Sequence, residues 1–545
     1  MMFDILSTQK AAEWTGVTYV NEMTERVKYW EFLHHLINHE GMKILYIKEE
    51  DDTAWIEDDR HKQPVIIRLT RKNFDWSNQL KADIDIAKRN SKEVKRHFNI
   101  RSGNVINVVL SQVTPVDDYE QYLSSVLPLT AGGKNQFRTL LITMDQLEDR
   151  MFPLATEWKL KDTPVFTPSE TLEEEGLEAA RIQTLQRDIQ RLTNERTKQE
   201  MSLFQQGKPR LTVLLIGIIA AIFVWMETVG STTSTLTLVE FGAKYDPAIL
   251  DGEWWRFISA MFIHIGPLHL FMNSLALFFL GAAVERIFGT GRFFGIYFLA
   301  GLFGSVASFV FNDNISAGAS GAIFGLFGAL LYFGVRHKKL FFRTMGMNIL
   351  VILGINLVFG FVVPMVDNGA HIGGLIGGFI ASAIVGLPAH NKDKSMIGAF
   401  FTAVILMAGL LIAGYNQDLD EDMLASIHFQ LAGEWIEREE YSKAEPYLLS
   451  IISHSESDIR ESVYVNSYFF LSYVQLQQDN LADAEESLRE TIRLRADFHE
   501  AHYNLALVYM EKDEMDRALE SAKQALSLSP EHEDYQSLVN ELEQR

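Results

Sequence analysis

Hydrophobic positions follow three different patterns along the chain. Up to about residue 160, short β-branched runs alternate with stretches of helical period. The runs are Lys43–Ile47, Val65–Leu69, Val105–Leu110 and Thr139–Thr143, and the helical stretches include Asn21–Ile37 and Ser77–Phe98. This predicts a mixed α/β domain over 1–165. Seven apolar segments follow: Leu211–Thr228, Ala260–Val284, Phe293–Phe311, Ala319–Val335, Asn348–Met365, His371–Leu387 and Met396–Tyr415. Crossing a ~30 Å hydrocarbon core takes about 20 helical residues, and most of the segments are long enough. Those opening at Ala319 and His371 are the shortest. A membrane domain is therefore predicted over 209–415, in contact with a lipid bilayer.

Between these regions, Thr167-Pro168-Ser169-Glu170 reads as a helix start: a cap, a Pro at the first helical position and a capping-box Glu. Ile182, Leu185, Ile189 and Leu192 follow with a/d spacing. Two heptads do not make a coiled coil, so a polar connecting helix is predicted over 166–208. The last stretch, 418–545, repeats. Leu481-Ala-Asp-Ala-Glu-Glu-Ser-Leu is echoed from Met515, Ala484 by Ala518 and Leu471 by Leu505, while a copy containing Leu431, Ala432 and Ala444 is displaced by an insertion. That period of about 34 residues resembles tetratricopeptide repeats, paired helices stacked into a binding groove. Such a tail is expected to choose protein partners rather than to do chemistry.

Composition sharpens this picture in three ways. With no Cys among 545 residues, disulfides and thiolate–metal sites are excluded. The first twenty residues lack a basic flank and an apolar run, so no cleaved signal peptide is expected. The net charge of −22 is uneven: the tail from Asp418 holds 29 acidic against 10 basic residues, which argues against nucleic acid as a partner. The amino-terminal domain shows no phosphate loop or nucleophile motif. Its acidic clusters Glu49–Asp52 and Glu57–Asp59, followed by His61, read as a solvated loop in preference to a weak divalent-cation site.

The charges flanking the spans set an orientation. Lys208 and Arg210, Arg286 and Arg292, Arg336 to Arg343, and Lys392 and Lys394 fall on alternate connections. The remaining connections carry Glu240, Asp246, Asp251, Asp313, Asp367 and Asp418–Asp422. By the positive-inside rule the amino terminus is cytoplasmic and the tail extracytoplasmic. Ser320 and His371 then lie at the outer ends of the fourth and sixth spans, which run in the same direction.

Ser320 stands where a polar loop becomes an apolar segment lined by Gly321, Gly325 and Gly328, and His371 opens a segment lined by Gly374 and Gly378. Small residues at such spacing pack helices closely, which by itself is a purely structural pattern. Close packing would also bring a serine hydroxyl to the imidazole it needs as a base. With no intramembrane carboxylate to orient the His, the expectation is a dyad. His269 and Asn273 share one helical face at i and i+4. They read either as polar glue between helices or as hydrogen-bond donors to an oxyanion, beside the Ser320 N–H. His264 reads as interfacial.

Gly318-Ala319-Ser320-Gly321, the glycine-lined His371 helix, His269-x-x-x-Asn273, Trp255-Arg256 and Glu285-Arg286 together resemble the rhomboid family of intramembrane serine proteases. The resemblance covers about 211–415. It implies a mainly α, polytopic fold, a six-helix bundle plus one extra helix, with Ser320 as nucleophile and His371 as general base and acid. It further implies an oxyanion hole from His269, Asn273 and backbone, with Gly318 shaping the substrate pocket. Where members often carry Tyr four residues after the serine, this chain has Phe324, which keeps a stacking surface for the His without the hydroxyl. Transmembrane proteins are the implied substrates, and the tail and the cytoplasmic domain are expected to meet protein partners. Neither cofactor nor metal is expected. A non-catalytic adaptor for unstable client helices is the alternative. A transporter ranks third, because the spans show no internal repeat and no mid-membrane charge.

Overall fold

The computed structural model describes residues 22–61, 63–100, 102–129, 135–168, 176–388 and 394–544. The chain forms two compact units, Met1–Ser202 and Leu203–Arg545.

The first unit is built on a mixed sheet. Its strands are β1 (Lys43–Lys48), β2 (Thr53–Asp58), β3 (Val65–Arg71), β4 (Asn104–Ser111), β5 (Leu127–Pro128) and β6 (Gln136–Thr143). Their order is β1-β2-β3-β4-β6-β5, with β3, β4 and β6 parallel. Helices over 22–38 and Ser77–His97 supply much of the covering, burying Trp30, Leu33, Leu80 and Ile84. Two expectations are corrected here. The stretch holding Glu57 and Asp58 is strand β2, with both side chains buried, and not a solvated loop. Asp58 is engaged by Arg60, and Asp52 of the neighbouring turn by Arg26 and Arg71. Alternation of Ala54 and Ile56 with Trp55 satisfies both faces of the sheet, and the acidic residues masked that pattern.

The predicted connecting helix also differs. It runs Leu177–Ser202, and Ile182, Leu185 and Ile189 are buried in the core of the first unit beside Trp30 and Leu36. The a/d stripe is thus the docking face of a domain helix. The N–H and hydroxyl of Thr167 both bond to Glu31, at 2.9 and 2.5 Å. Ser169 and Glu170, and the basic Lys392, lie outside the described residues.

In the second unit the spans are Arg210–Val229, Gly266–Phe288, Thr290–Phe311, Ser320–Arg336, Gly346–Val362, Asn368–Val385 and Lys394–Tyr415. The second starts later than the hydropathy suggested. Gly266 has φ +72° and Pro267 occupies the first turn, so the chain before it forms only short turns. The fifth is preceded by a short helix, Lys338–Thr344, bent from it by 74°. The seventh exposes Phe400, Phe401, Ile405 and Ile412, as a lipid-facing helix does.

The third, fourth and sixth spans form the tightly packed centre. A Cβ on Gly374 would overlap the carbonyl of Gly321, one on Gly378 that of Gly325, and one on Gly328 that of Leu375. Glycine is what lets these two backbones touch. The tail consists of three helix pairs: Glu421–Glu437 with Tyr441–Ile452, Glu461–Gln477 with Leu481–Leu494, and His499–Glu511 with Met515–Leu528. A last helix, Glu533–Gln544, buries Tyr535, Leu538 and Val539. The insertion that displaces the first copy is the segment 453–460.

Candidate active site

Ser320 is the first residue of its helix, and partly exposed, because the preceding chain cannot continue a helix. Gly318 has φ +144°, a conformation L residues rarely adopt, and its N–H donates to the Ala260 carbonyl at 2.9 Å. The Ser320 N–H lies in the first helical turn, where amides have no partner inside the helix. His371 sits one turn into the sixth span. Its ring stacks on Phe324, with centroids 4.0 Å apart and planes 12° from parallel. The stacking surface expected of Phe324 is thus in place. Gly321, next to the serine, lies against the carbonyl of Ala370, next to the histidine: a Cβ there would be 3.3 Å from that oxygen. So the neighbours of Ser320 touch His371 and its neighbour. Nδ1 of His371 is enclosed without a hydrogen-bond partner.

His269 approaches from the second span. Its Nδ1 accepts from the Ile265 N–H at 3.4 Å, which leaves Nε2 to carry the proton. That edge of the ring packs on Gly318: a Cβ there would lie 2.8 Å from Cε1 and 3.0 Å from Nε2. Gly318 must be glycine both for its φ and for this contact. Asn273 is buried one turn on, donating through Nδ2 to the His269 carbonyl at 3.2 Å. The amide has a second N–H, so a donor remains. All six residues singled out from the sequence therefore fall in one region, around the serine helix and its entry loop. A cavity of about 20 Å³ adjoins it, lined by Ser305, Ser308, Ser316 and Ser320. That is room for roughly one water.

Two residues of this region were not anticipated in these roles. His264, expected at the interface, is fully buried under the serine loop and accepts from the Ala319 N–H at 3.4 Å. Asp367 caps the histidine helix, accepting from the Ala370 N–H at 2.8 Å and from the Ser308 hydroxyl, with further bonds from Ser316 and Asn312. Burial disfavours its charge, yet these donors outweigh burial and hold the Asp367 carboxyl below its usual range. An Asp followed by Asn-Gly before an apolar helix was a legible capping signal. It joins the third span, the serine loop and the histidine helix at one carboxylate.

A Rhomboid domain family model matches residues 251–388 and a tetratricopeptide repeat model matches 499–532. Rhomboid protease GluP of Bacillus subtilis (strain 168) is 33% identical over 485 residues, which is 89% of this chain and 92% of that protein. The chain belongs to the rhomboid family. RHOMBOID-like protein 5 of Arabidopsis thaliana shares 34% identity over 220 residues, 36% of this chain and 71% of that one. Among solved structures a crystal structure of MamA overlaps 28% of this chain and 85% of its own at 19% identity, with a TM-score of 0.21, too low to carry an argument. This rhomboid is a multi-pass membrane protein with a tetratricopeptide tail. Arg256 donates to the carbonyls of Val239 and Ala243 at 2.8 and 3.1 Å, and Glu285 accepts the N–H groups of Leu211 and Thr212 that open the first span.

Proposed function

We propose that this rhomboid, an intramembrane serine protease by family, cleaves peptide bonds in or beside transmembrane segments with a Ser320–His371 dyad. The observation that carries this reading is the joint placement of Ser320 at a helix start and of His371 against Phe324, across a glycine contact with no room for side chains. In the first half-reaction Ser320 Oγ attacks the scissile carbonyl carbon while its proton passes to His371 Nε2. The tetrahedral oxyanion is stabilised by the Ser320 N–H and by His269 Nε2–H and Asn273 Nδ2–H. Collapse breaks the C–N bond, and the leaving amine takes the proton from His371. Water then attacks the Ser320 ester with His371 again as base, releasing the acid and restoring the hydroxyl.

The bond to be cut must first leave its helix, because helical carbonyls are hydrogen-bonded and shielded. Small or helix-breaking residues near the outer membrane surface lower that cost, so they mark the substrates of choice. Substrates are transmembrane proteins, and the tail recruits protein partners, basic ones favoured by its acidity. We place the active site and the tail outside the cell membrane and the amino terminus in the cytoplasm. The test is reconstitution in liposomes with a single-span substrate and a serine-directed fluorophosphonate. Wild type should cleave and be labelled on Ser320; Ser320→Ala and His371→Ala should do neither, and the double variant should be no worse than either. Cleavage by contaminant-free Ser320→Ala protein overturns the reading.

A further inference from the structure

The tail does not simply follow the seventh span; its first helix, Glu421–Glu437, is docked on the loop between the first and second spans. Within that loop a short helix, Thr235–Glu240, begins at Ser234. Glu434 accepts from the Ser234 hydroxyl and from the N–H groups of Thr235 and Leu236, at 2.8 and 3.1 Å for the two amides. Three donors of a helix start are thus satisfied by a carboxylate from nearly 200 residues away in sequence. Tyr245 Oη bonds His428 Nε2 at 2.8 Å, and Arg438 pairs with Glu240 at 3.3 Å. Leu236, Val239 and Tyr245 of the loop share one apolar cluster with Ile427 and Leu431 of the tail and with Ile315 of the serine loop.

The repeat architecture explains why this face is available. In the last pair the opening helix packs on the closing helix of the pair before it, Leu505 clustering with Leu488. The first pair has no predecessor, and an end repeat needs some cover for the face left open. Here the membrane domain's own loop supplies it.

What the docking holds in place leads to Ser320. Lys244, adjacent to Tyr245, exchanges backbone hydrogen bonds with Ser316, 2.9 Å one way and 3.1 Å the other. The buried Lys244 ammonium donates to Asp246 and to the carbonyls of Asn312 and Asn314. Ser316 is four residues before Ser320 and borders the cavity beside it. We infer that the first tail helix is a positioning element of the active site: Glu434 and His428 fix the outer loop, the loop fixes Ser316 through Lys244, and Ser316 fixes the approach to Ser320. The tail then has a role beside partner choice, and both residues act through others without touching substrate.

This inference rests on Ser320 being the nucleophile, and the experiment separates the two. Full-length protein in liposomes is compared as wild type, Glu434→Ala, Glu434→Gln, Arg438→Glu and the swap Arg438→Glu with Glu240→Arg. Three quantities are read: hydrogen exchange of amides 234–240, the rate of fluorophosphonate labelling of Ser320, and cleavage of a single-span substrate. Glu434→Ala should raise the exchange and slow labelling and cleavage about five-fold or more, the effect of losing several hydrogen bonds to one carboxylate. Glu434→Gln keeps an acceptor and should recover part of the rate. Arg438→Glu should slow labelling at low ionic strength, and the swap should restore it, an outcome a general loss of folding does not give. Faster exchange with an unchanged labelling rate overturns the inference, as does unchanged exchange in Glu434→Ala. If wild type is not labelled on Ser320 at all, the nucleophile assignment fails instead, and cleavage rates still decide the coupling.

Discussion

Removing one oxyanion donor is milder than removing the nucleophile, because the other donors remain. His269→Ala or Asn273→Ala should lower kcat by about 10²–10³, with KM little changed, while Ser320→Ala leaves nothing measurable. Equal losses for all three would mean that His269 and Asn273 hold the fold and do not bind the oxyanion. Asp367 gives a sharper test of positioning. Asp367→Ala loses a helix cap, typically about 1 kcal/mol, together with the bonds to Ser308 and Ser316, whereas Asp367→Asn retains an oxygen able to cap. Ala should therefore lower both the unfolding temperature and the labelling rate of Ser320, and Asn should preserve most of each. The folded carboxyl is held below its usual value, so its stabilising contribution is complete above the unfolded pKa near 3.8 and disappears as pH falls through the folded one. The stability gap between wild type and Asp367→Ala should be flat from pH 5 to 8 and narrow only in stronger acid; a gap that closes near pH 6 would contradict the assigned charge state. Ser320, His371 and Phe324 were legible because each is tied to a local pattern. His264 and the linking role of Asp367 were not, since their partners lie 55 and 59 residues away in sequence and only the fold brings them near.

At the scale of elements, the glycines of the fourth and sixth spans are not interchangeable with those of the seventh. A side chain at Gly378 meets the Gly325 backbone, which has no flexible end to move aside, while Gly398 and Gly409 face open space. Gly378→Leu should separate the two helices and cost about 3 kcal/mol or more, abolishing labelling of Ser320. Gly409→Leu should leave both stability and labelling near wild type in the same liposomes. Comparable damage from the two would show that the glycine contact does not set the distance between serine and histidine. Apolar length and spacing predicted these helices well because the bilayer sets their length and the glycine period shows their mutual face. The misreadings occurred where a second rule competed. Gly266 and Pro267 delayed the second span, the acidic end of β2 imitated a loop, and the stripe at Ile182, Leu185 and Ile189 imitated a connector while serving a core.

For the whole molecule, the proposed orientation rests on where charge was left. Lys208, Arg210, Arg286, Arg292, Arg336, Lys338, Lys339, Arg343 and Lys394 occupy the connections on one side of the bundle, while Asp246, Asp251, Asp313 and Asp367 occupy the other. The latter connections include the loop that carries Tyr245, and the tail packs on that loop, so the tail and the loop before Ser320 share a side. Basic residues near span ends resist transfer across the membrane, and on that ground the proposed orientation puts their side in the cytoplasm. In that proposed orientation the first and seventh spans both run outward, with the amino terminus inside and the tail outside. Protease added to right-side-out vesicles should digest the tail, remove any partner-dependent activity and spare the amino-terminal domain; in inverted vesicles the pattern should reverse. Because the first tail helix is docked through Glu434 and His428, its fragment should be the last part of the tail to be cut. Digestion of the amino-terminal domain in right-side-out vesicles would reverse the orientation, and with it the side from which substrates are cleaved.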